Sequence, residues 1–119
     1  MSKYHILICD DDESIRESLK AYLQETYELS FADTGEKALY EVVSNDFDLL
    51  IIDIKMPGIS GLEAIRQIKQ AKPDQKIIVL SGYESISVVE QASKYNITSY
   101  LTKPVSREKL LKTISEAIA

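Results

Sequence analysis

The fold class that the sequence predicts is α/β: an open, five-stranded parallel sheet covered by five helices on its two faces. Two observations predict it. Leu49-Leu50-Ile51-Ile52 and Ile77-Ile78-Val79-Leu80 are unbroken aliphatic runs, the pattern of strands buried on both faces of a parallel sheet. Between runs of this kind lie longer stretches whose apolar residues recur at spacings of three and four, as on amphipathic helices. Strands and helices in alternation, joined by right-handed crossovers, give an open parallel sheet with helices on both sides.

Each element has its own signal. β1 is expected over residues 4–9, where Tyr4-His5-Ile6-Leu7-Ile8-Cys9 forms an apolar run. α1 follows from about 13 to 25, with Ile15, Leu19, Tyr22 and Leu23 on one stripe. A weaker strand, β2, is read at 28–32. α2 lies around 38–43, marked by Ala38, Leu39, Val42 and Val43, and β3 spans 49–52. α3 starts at Ser60, which has the spacing of a capping box with Glu63. Its stripe of Leu62, Ile65, Ile68 and Lys69 stops before Pro73. β4 is expected over 77–80 and α4 over about 85–95, with Asn96 placed to end that helix in a left-handed turn. β5 covers 98–102. α5 begins after Pro104 with Ser106 as its N-cap, and carries Leu110, Leu111, Ile114 and Ile118.

The composition excludes several classes. With 45% hydrophobic residues in 119, the chain can build a core and is not a disordered segment. One domain is expected over residues 1–119, without repeats, linkers or low-complexity stretches. No apolar stretch approaches the roughly 20 residues that cross a bilayer, and the start lacks a signal-peptide pattern. A cytoplasmic protein without membrane attachment is expected. A net charge of −5, from 19 acidic and 14 basic residues, argues against direct nucleic-acid binding, which needs a basic face. The single cysteine, Cys9, ends an apolar run and is expected to be a small buried core residue.

In open α/β sheets, ligands bind beyond the carboxyl ends of the strands. Asp10, Asp11 and Asp12 follow β1, Asp53 ends β3, Ser81 ends β4, and β5 runs into Lys103-Pro104. Carboxylates, a hydroxyl and an ammonium therefore converge on one edge. Asp10, Asp11 and Asp53 together place three negative charges in a small cleft. Like charges that close raise one another's pKa or require a cation. Carboxylates and water suit a hard ion such as Mg²⁺, and one Mg²⁺ with the Lys103 ammonium balances the three carboxylates. A carboxylate can also act as a nucleophile and become an aspartyl-phosphate. Mg²⁺, Lys103 and Ser81 are groups of the kind that stabilise phosphoryl transfer.

At these residues the chain resembles the response-regulator receiver (CheY-like) domains of two-component signal transduction, over essentially its whole length. The resemblance rests on Asp10-Asp11, on Asp53 within Asp53-Ile54-Lys55-Met56-Pro57-Gly58, on Ser81-Gly82, and on Tyr100 three residues before Lys103-Pro104. It implies a flavodoxin-like strand order 2-1-3-4-5. It implies that Asp53 accepts phosphate from a sensor histidine kinase or histidine phosphotransfer protein. Mg²⁺ (or Mn²⁺) would be bound by Asp10, Asp11, Asp53 and the Lys55 backbone carbonyl. Lys103 would hold the phosphoryl group, with a cis bond to Pro104. Ser81 would swing toward the phosphate and Tyr100 inward, remodelling the face of α4, β5 and α5 where a downstream effector or output domain docks. Whether that face also forms a phosphorylation-dependent homodimer is left open by its charge pattern. Such a domain catalyses only its own phosphorylation and dephosphorylation. Lys55 and Tyr83 stand where the family sets the rate of phosphate loss, and imply a slow to moderate one. Gly82 for a usual alanine, Asn96-Ile97 for a usual Gly-Ala, and Val105 for a common phenylalanine depart from the pattern. They bear on partner choice more than on chemistry.

Plainer readings hold for several residues. Asp12 is the expected N-cap of α1, with its carboxylate at the positive end of the helix dipole. His5 lies at the start of β1, far from the cleft, and is structural or exposed. Lys109 and Lys112 are a solvated face. Among rival functions, Asp10-x-Asp12 resembles the start of haloacid-dehalogenase-type phosphatases, but that scheme leaves Asp53 unexplained and generally needs a longer chain. A flavodoxin-type flavin site needs a phosphate-cradling loop, which Asp10-Asp11-Asp12-Glu13 would repel. The chain could also be the receiver portion of a longer transcriptional regulator, with the same chemistry and a different output.

Overall fold

A computed structural model of the chain describes residues 3–56, 58–82 and 90–119. Its strands are β1 (His5–Cys9), β2 (Glu28–Ala32), β3 (Leu49–Ile52), β4 (Ile77–Ser81) and β5 (Ser99–Thr102). All pair in parallel, in the order β2-β1-β3-β4-β5, as the resemblance implies. The helices are α1 (Glu13–Leu23), α2 (Gly35–Ser44), α3 (Gly61–Ala71) and α5 (Arg107–Ile118). For α4, residues 90–92 are helical and close in a 3₁₀ turn at Ser93–Tyr95. The earlier part of its expected span, like Tyr83, lies outside the described residues.

The aliphatic runs are continuous because the sheet has two cores. Successive strand side chains point to opposite faces. Leu7, Cys9, Leu50, Ile52, Ile77 and Val79 pack with Ala38, Val42, Ile65 and Ile68 of α2 and α3. Ile6, Ile8, Leu49, Ile51, Ile78 and Leu80 pack with Leu19 and Leu23 of α1 and Leu110 and Ile114 of α5. β3 and β4 are buried at every residue.

Local chemistry sets the helix ends. Asp12, Thr34, Ser60 and Ser106 accept a backbone N–H from Ser14, Lys37, Glu63 and Lys109, leaving fewer first-turn donors without a partner. The Ser60–Glu63 pair forms the forward half of a capping box, while the Glu63 carboxylate is engaged by Arg66. α1 ends at Leu23, two residues short of its expected end. There the Leu23 carbonyl takes N–H bonds from Thr26 and Tyr27, turning the chain into β2. Asn96 adopts φ 58°, ψ 56°, the left-handed ending expected after α4. Lys69 lies partly along the apolar side of α3, and its ammonium donates to the Pro73 and Gln75 carbonyls at 3.2 and 2.6 Å. Burial lowers its pKa. His5 accepts or donates a 2.7 Å hydrogen bond with Ser30 and stacks at a tilt on Phe47, a structural role at the edge of the sheet opposite the acidic residues. Among the described residues, no helix is long and apolar enough to cross a membrane.

Candidate functional site

The carboxyl ends of β1 and β3 are locked side by side: the Asp53 N–H donates to the Cys9 carbonyl at 2.9 Å, and the Asp10 N–H to the Ala32 carbonyl at 3.1 Å. Asp10 and Asp53 thus emerge next to each other where the strands stop. Both are buried, with 2% and 7% of their surface exposed, while Asp11 faces solvent. One carboxylate oxygen from each of Asp10, Asp11 and Asp53 lies within 4.8 Å of the others.

Lys103 enters this cluster from the end of β5. Its ammonium is 2.8 Å from Asp10 Oδ2 and 3.3 Å from Asp53 Oδ2, so it bridges both buried carboxylates. Its backbone N–H donates to the Ser81 carbonyl at 2.8 Å, which ties β5 to β4 at the same edge. The remaining oxygens also have partners: Asp10 Oδ1 accepts the Asp12 N–H at 3.0 Å, and Asp53 Oδ1 accepts the Lys55 N–H at 3.3 Å. The Asp10 carbonyl accepts a 2.7 Å hydrogen bond from the Arg16 guanidinium.

Burial pushes the Asp53 carboxyl above its usual range; the Lys103 ammonium pulls it down and Asp10 pushes it up again. For Lys103, burial disfavours the charge, but the hydrogen bond to Asp10 and the charges of Asp53 and Asp10 prevail and hold the ammonium above its ordinary pKa. Three carboxylates facing one bridging ammonium leave a net excess of two negative charges when all are ionised. This donor set, all oxygen and partly open to water through Asp11, fits a hard divalent cation.

The other expected site residues fall around this centre. Ser81 is the last residue of β4 and is buried. The Lys103–Pro104 peptide is cis, as expected. Lys55 is exposed on the turn after β3. Tyr100 is half-buried against the core shared with α2 and α3, and burial raises its hydroxyl pKa. Asp12 caps α1, its Oδ1 accepting from the Ser14 N–H and hydroxyl at 2.9 and 2.7 Å. Cys9 is 1% exposed, donates toward the Thr34 carbonyl, and has its thiol pushed up to about 12 by burial and the neighbouring aspartates.

Two residues matter here that sequence reasoning missed. Gly61 opens α3 directly against the backbone that follows β3: a Cβ there would stand 2.4 Å from the Asp53 carbonyl oxygen and 2.5 Å from Ile54 Cα. The signal available was a glycine at the first helical position beside Ser60, where other residues serve as well. The second is Arg16, a cation in the opening turns of a helix, where the dipole disfavours positive charge.

The sequence matches the family model of the response regulator receiver domain over residues 6–115. The transcriptional regulatory protein ZraR of Klebsiella oxytoca is 36% identical over 115 residues, covering 96% of this chain and 26% of ZraR. Among solved structures, the response regulator protein TrrA from Thermotoga maritima, in complex with Mg(2+)-BeF, is 40% identical with a TM-score of 0.86, covering 96% of this chain and 98% of that one. A response regulator receiver domain protein (CheY-like) from Methanospirillum hungatei is 33% identical with a TM-score of 0.93, covering 98% and 94%. The chain spans 26% to 33% of the length of the first curated relatives it matches.

Proposed function

The chain belongs to the response regulator receiver domain family, and from that premise we propose that it is a phosphoacceptor switch in which Asp53 takes a phosphoryl group beside a divalent cation, Mg²⁺ or Mn²⁺. The observation that carries this reading is the setting of Asp53. It is a buried carboxylate at a strand end, grouped with Asp10 and Asp11 and facing the Lys103 ammonium at 3.3 Å.

An Asp53 carboxylate oxygen forms a bond to phosphorus as the phosphorus–nitrogen bond of a donor phosphohistidine breaks. The electron pair leaves with the imidazole, which takes up a proton. Asp10, Asp11, Asp53 and the Lys55 carbonyl would hold the cation, which would supply neutralisation of charge on the transferring oxygens. Lys103 exchanges part of its pairing with Asp10 and Asp53 for the phosphoryl oxygens. Ser81 turns its hydroxyl to the same group, and Tyr100 moves inward behind it. The α4-β5-α5 face then differs between the two forms and is read by a downstream effector or output domain. Water attacks the phosphorus, its bond to the Asp53 oxygen breaks, and inorganic phosphate leaves with the carboxylate restored, at a slow to moderate rate set at Lys55 and Tyr83. The donor is a sensor histidine kinase or histidine phosphotransfer protein, in the cytoplasm.

The length of the relatives favours a second reading of the output. Relatives named as transcriptional regulatory proteins are three to four times as long as the matched segment. The chain is then the receiver portion of such a regulator. The phosphatase-like alternative is disfavoured because Asp12 is spent on capping α1 and because that scheme gives no part to the buried Asp53.

Incubation with acetyl phosphate, with and without Mg²⁺, tests the chemistry. The expected result is cation-dependent, base-labile labelling that is lost in Asp53→Asn. Labelling that survives in Asp53→Asn and disappears in Asp10→Asn would assign the nucleophile to Asp10 instead. A folded, Mg²⁺-binding chain that takes no label would sink the switch altogether.

A further inference from the structure

We propose that Arg16 is a positioning residue for the divalent-cation site: by gripping the Asp10 carbonyl, it fixes the β1–α1 turn so that Asp10 and Asp11 present their oxygens to Asp53. This inference rests on the reading of the acidic cluster as a cation site.

Up to Cys9, the carbonyls of β1 are served by the sheet; the Cys9 carbonyl accepts the Asp53 N–H. Asp10 is the first residue past the strand and is almost fully buried, so its carbonyl needs a partner that the ladder no longer supplies. Arg16 provides it. Its Nη1 reaches back over six residues to the Asp10 carbonyl at 2.7 Å, the length of a charge-assisted bond. The same turn is crossed by the Asp12 N–H to Asp10 Oδ1 bond and by the Arg16 N–H to Asp12 carbonyl bond, at 3.0 and 3.1 Å. Arg16 therefore joins the turn through its backbone and its side chain, and α1 and Asp10 move as one piece.

Helix rules do not account for a cation here. Arg16 is the fourth residue of α1, close to the positive end of the helix dipole, in a turn already capped by Asp12 and carrying Glu13. Nor would its charge help a divalent cation, since two positive groups repel. Charge and position thus predict opposite outcomes. If Arg16 acted only as a charge beside the site, removing it would tighten cation binding. If it positions the turn, removing it weakens binding. Partners that orient metal ligands are worth about 10–100-fold in affinity. Arg16 acts on a backbone carbonyl one bond chain away from the ligands, so the lower end, about tenfold, is expected.

The test is Mn²⁺ binding, followed by the electron paramagnetic resonance of free Mn²⁺, with Mg²⁺ measured by competition. The proteins are the wild type, Arg16→Met, Arg16→Lys and Asp53→Asn, with unfolding by urea measured in EDTA. Arg16→Met is expected to raise the Kd about tenfold and Arg16→Lys to recover most of that loss, a pattern that a loss of helix stability alone would not produce. An unchanged or lower Kd in Arg16→Met, with wild-type binding present and Asp53→Asn impaired, overturns the role of Arg16 and leaves the cation site standing. Absence of Mn²⁺ and Mg²⁺ binding by the wild type overturns both. Should Arg16→Met not fold, Arg16→Gln is read on the same scale, and wild-type affinity there equally overturns the proposal.

Discussion

Gly61→Ala reverses the usual sign of a glycine-to-alanine change in a helix. Elsewhere in a helix the added methyl stabilises by roughly 1 kcal/mol, because alanine loses less backbone freedom. At Gly61 the new Cβ would meet the Asp53 carbonyl oxygen at 2.4 Å and Ile54 Cα at 2.5 Å. Reaching the 3.4 Å of ordinary contact asks for about 1 Å of movement, and both obstacles are backbone. The Gly61 N–H to Ile54 carbonyl bond, 2.8 Å long, spans the same gap and would stretch with it. Overpacking of this kind costs about 1–3 kcal/mol. With an m-value of roughly 1–3 kcal/mol per M, the urea midpoint should fall by about 1 M. Because the displaced peptide belongs to Asp53, the proposed phosphoacceptor, a shift near 1 Å should also slow labelling by acetyl phosphate, by up to about 100-fold. Both are measured on the same preparation, the second at a urea-free temperature where circular dichroism shows the variant folded. Stability equal to or above wild type, with an unchanged labelling rate, would refute the close fit of α3 to Asp53.

Asp53→Asn should stabilise the fold at neutral pH in EDTA. Burial raises the folded-state pKa of Asp53, so its contribution favours the fold below the unfolded carboxylate pKa and is lost as pH rises through the raised value. The amide removes that loss, and the advantage should shrink as the pH drops through the ordinary carboxylate range; urea midpoints across pH read it. Lys103→Met strips the bridging ammonium from two buried carboxylates and should cost about 1–3 kcal/mol in EDTA. That is below the figure for a fully buried pair, because the Lys103 side chain is 22% exposed. Saturating Mg²⁺ should return part of this stability, and a loss that Mg²⁺ leaves untouched would count against charge balance as its cause.

The strands were legible because their residues face two cores at once: Leu49 and Ile51 turn to α1 and α5, Leu50 and Ile52 to α2 and α3. A run with no polar side leaves few alternatives. The acidic centre was legible for a related reason. Asp10, Asp53 and Lys103 each interrupt or follow an apolar run, and a parallel sheet brings such interruptions to one edge. What stayed hidden depends on contacts between segments distant in sequence or on backbone reach. Gly61 is required by the nearness of the Asp53 peptide, which composition does not express. Arg16 acts on a carbonyl, a group that every residue carries. The Glu63 carboxylate had two suitors, the Ser60 N–H and Arg66, and only side-chain geometry decides between them. The early end of α1 follows from the Leu23 carbonyl drawing Thr26 and Tyr27 into the turn toward β2.

Cys9 has a practical bearing on how this chain can be watched. It is the single cysteine, sealed in the core under α2 and α3 with its thiol pushed up to about 12. At neutral pH its thiolate fraction is therefore on the order of one in ten thousand or less. Maleimides and spin labels leave such a sulfur alone, so a cysteine introduced on any exposed surface becomes a selective attachment point without first removing the natural one. The native thiol then serves as a built-in alarm. Because its sulfur packs against the Thr34 carbonyl and Met56 in the core covered by α2 and α3, its sudden reactivity would report that this core had opened, separating unfolding from smaller movements in every labelling experiment.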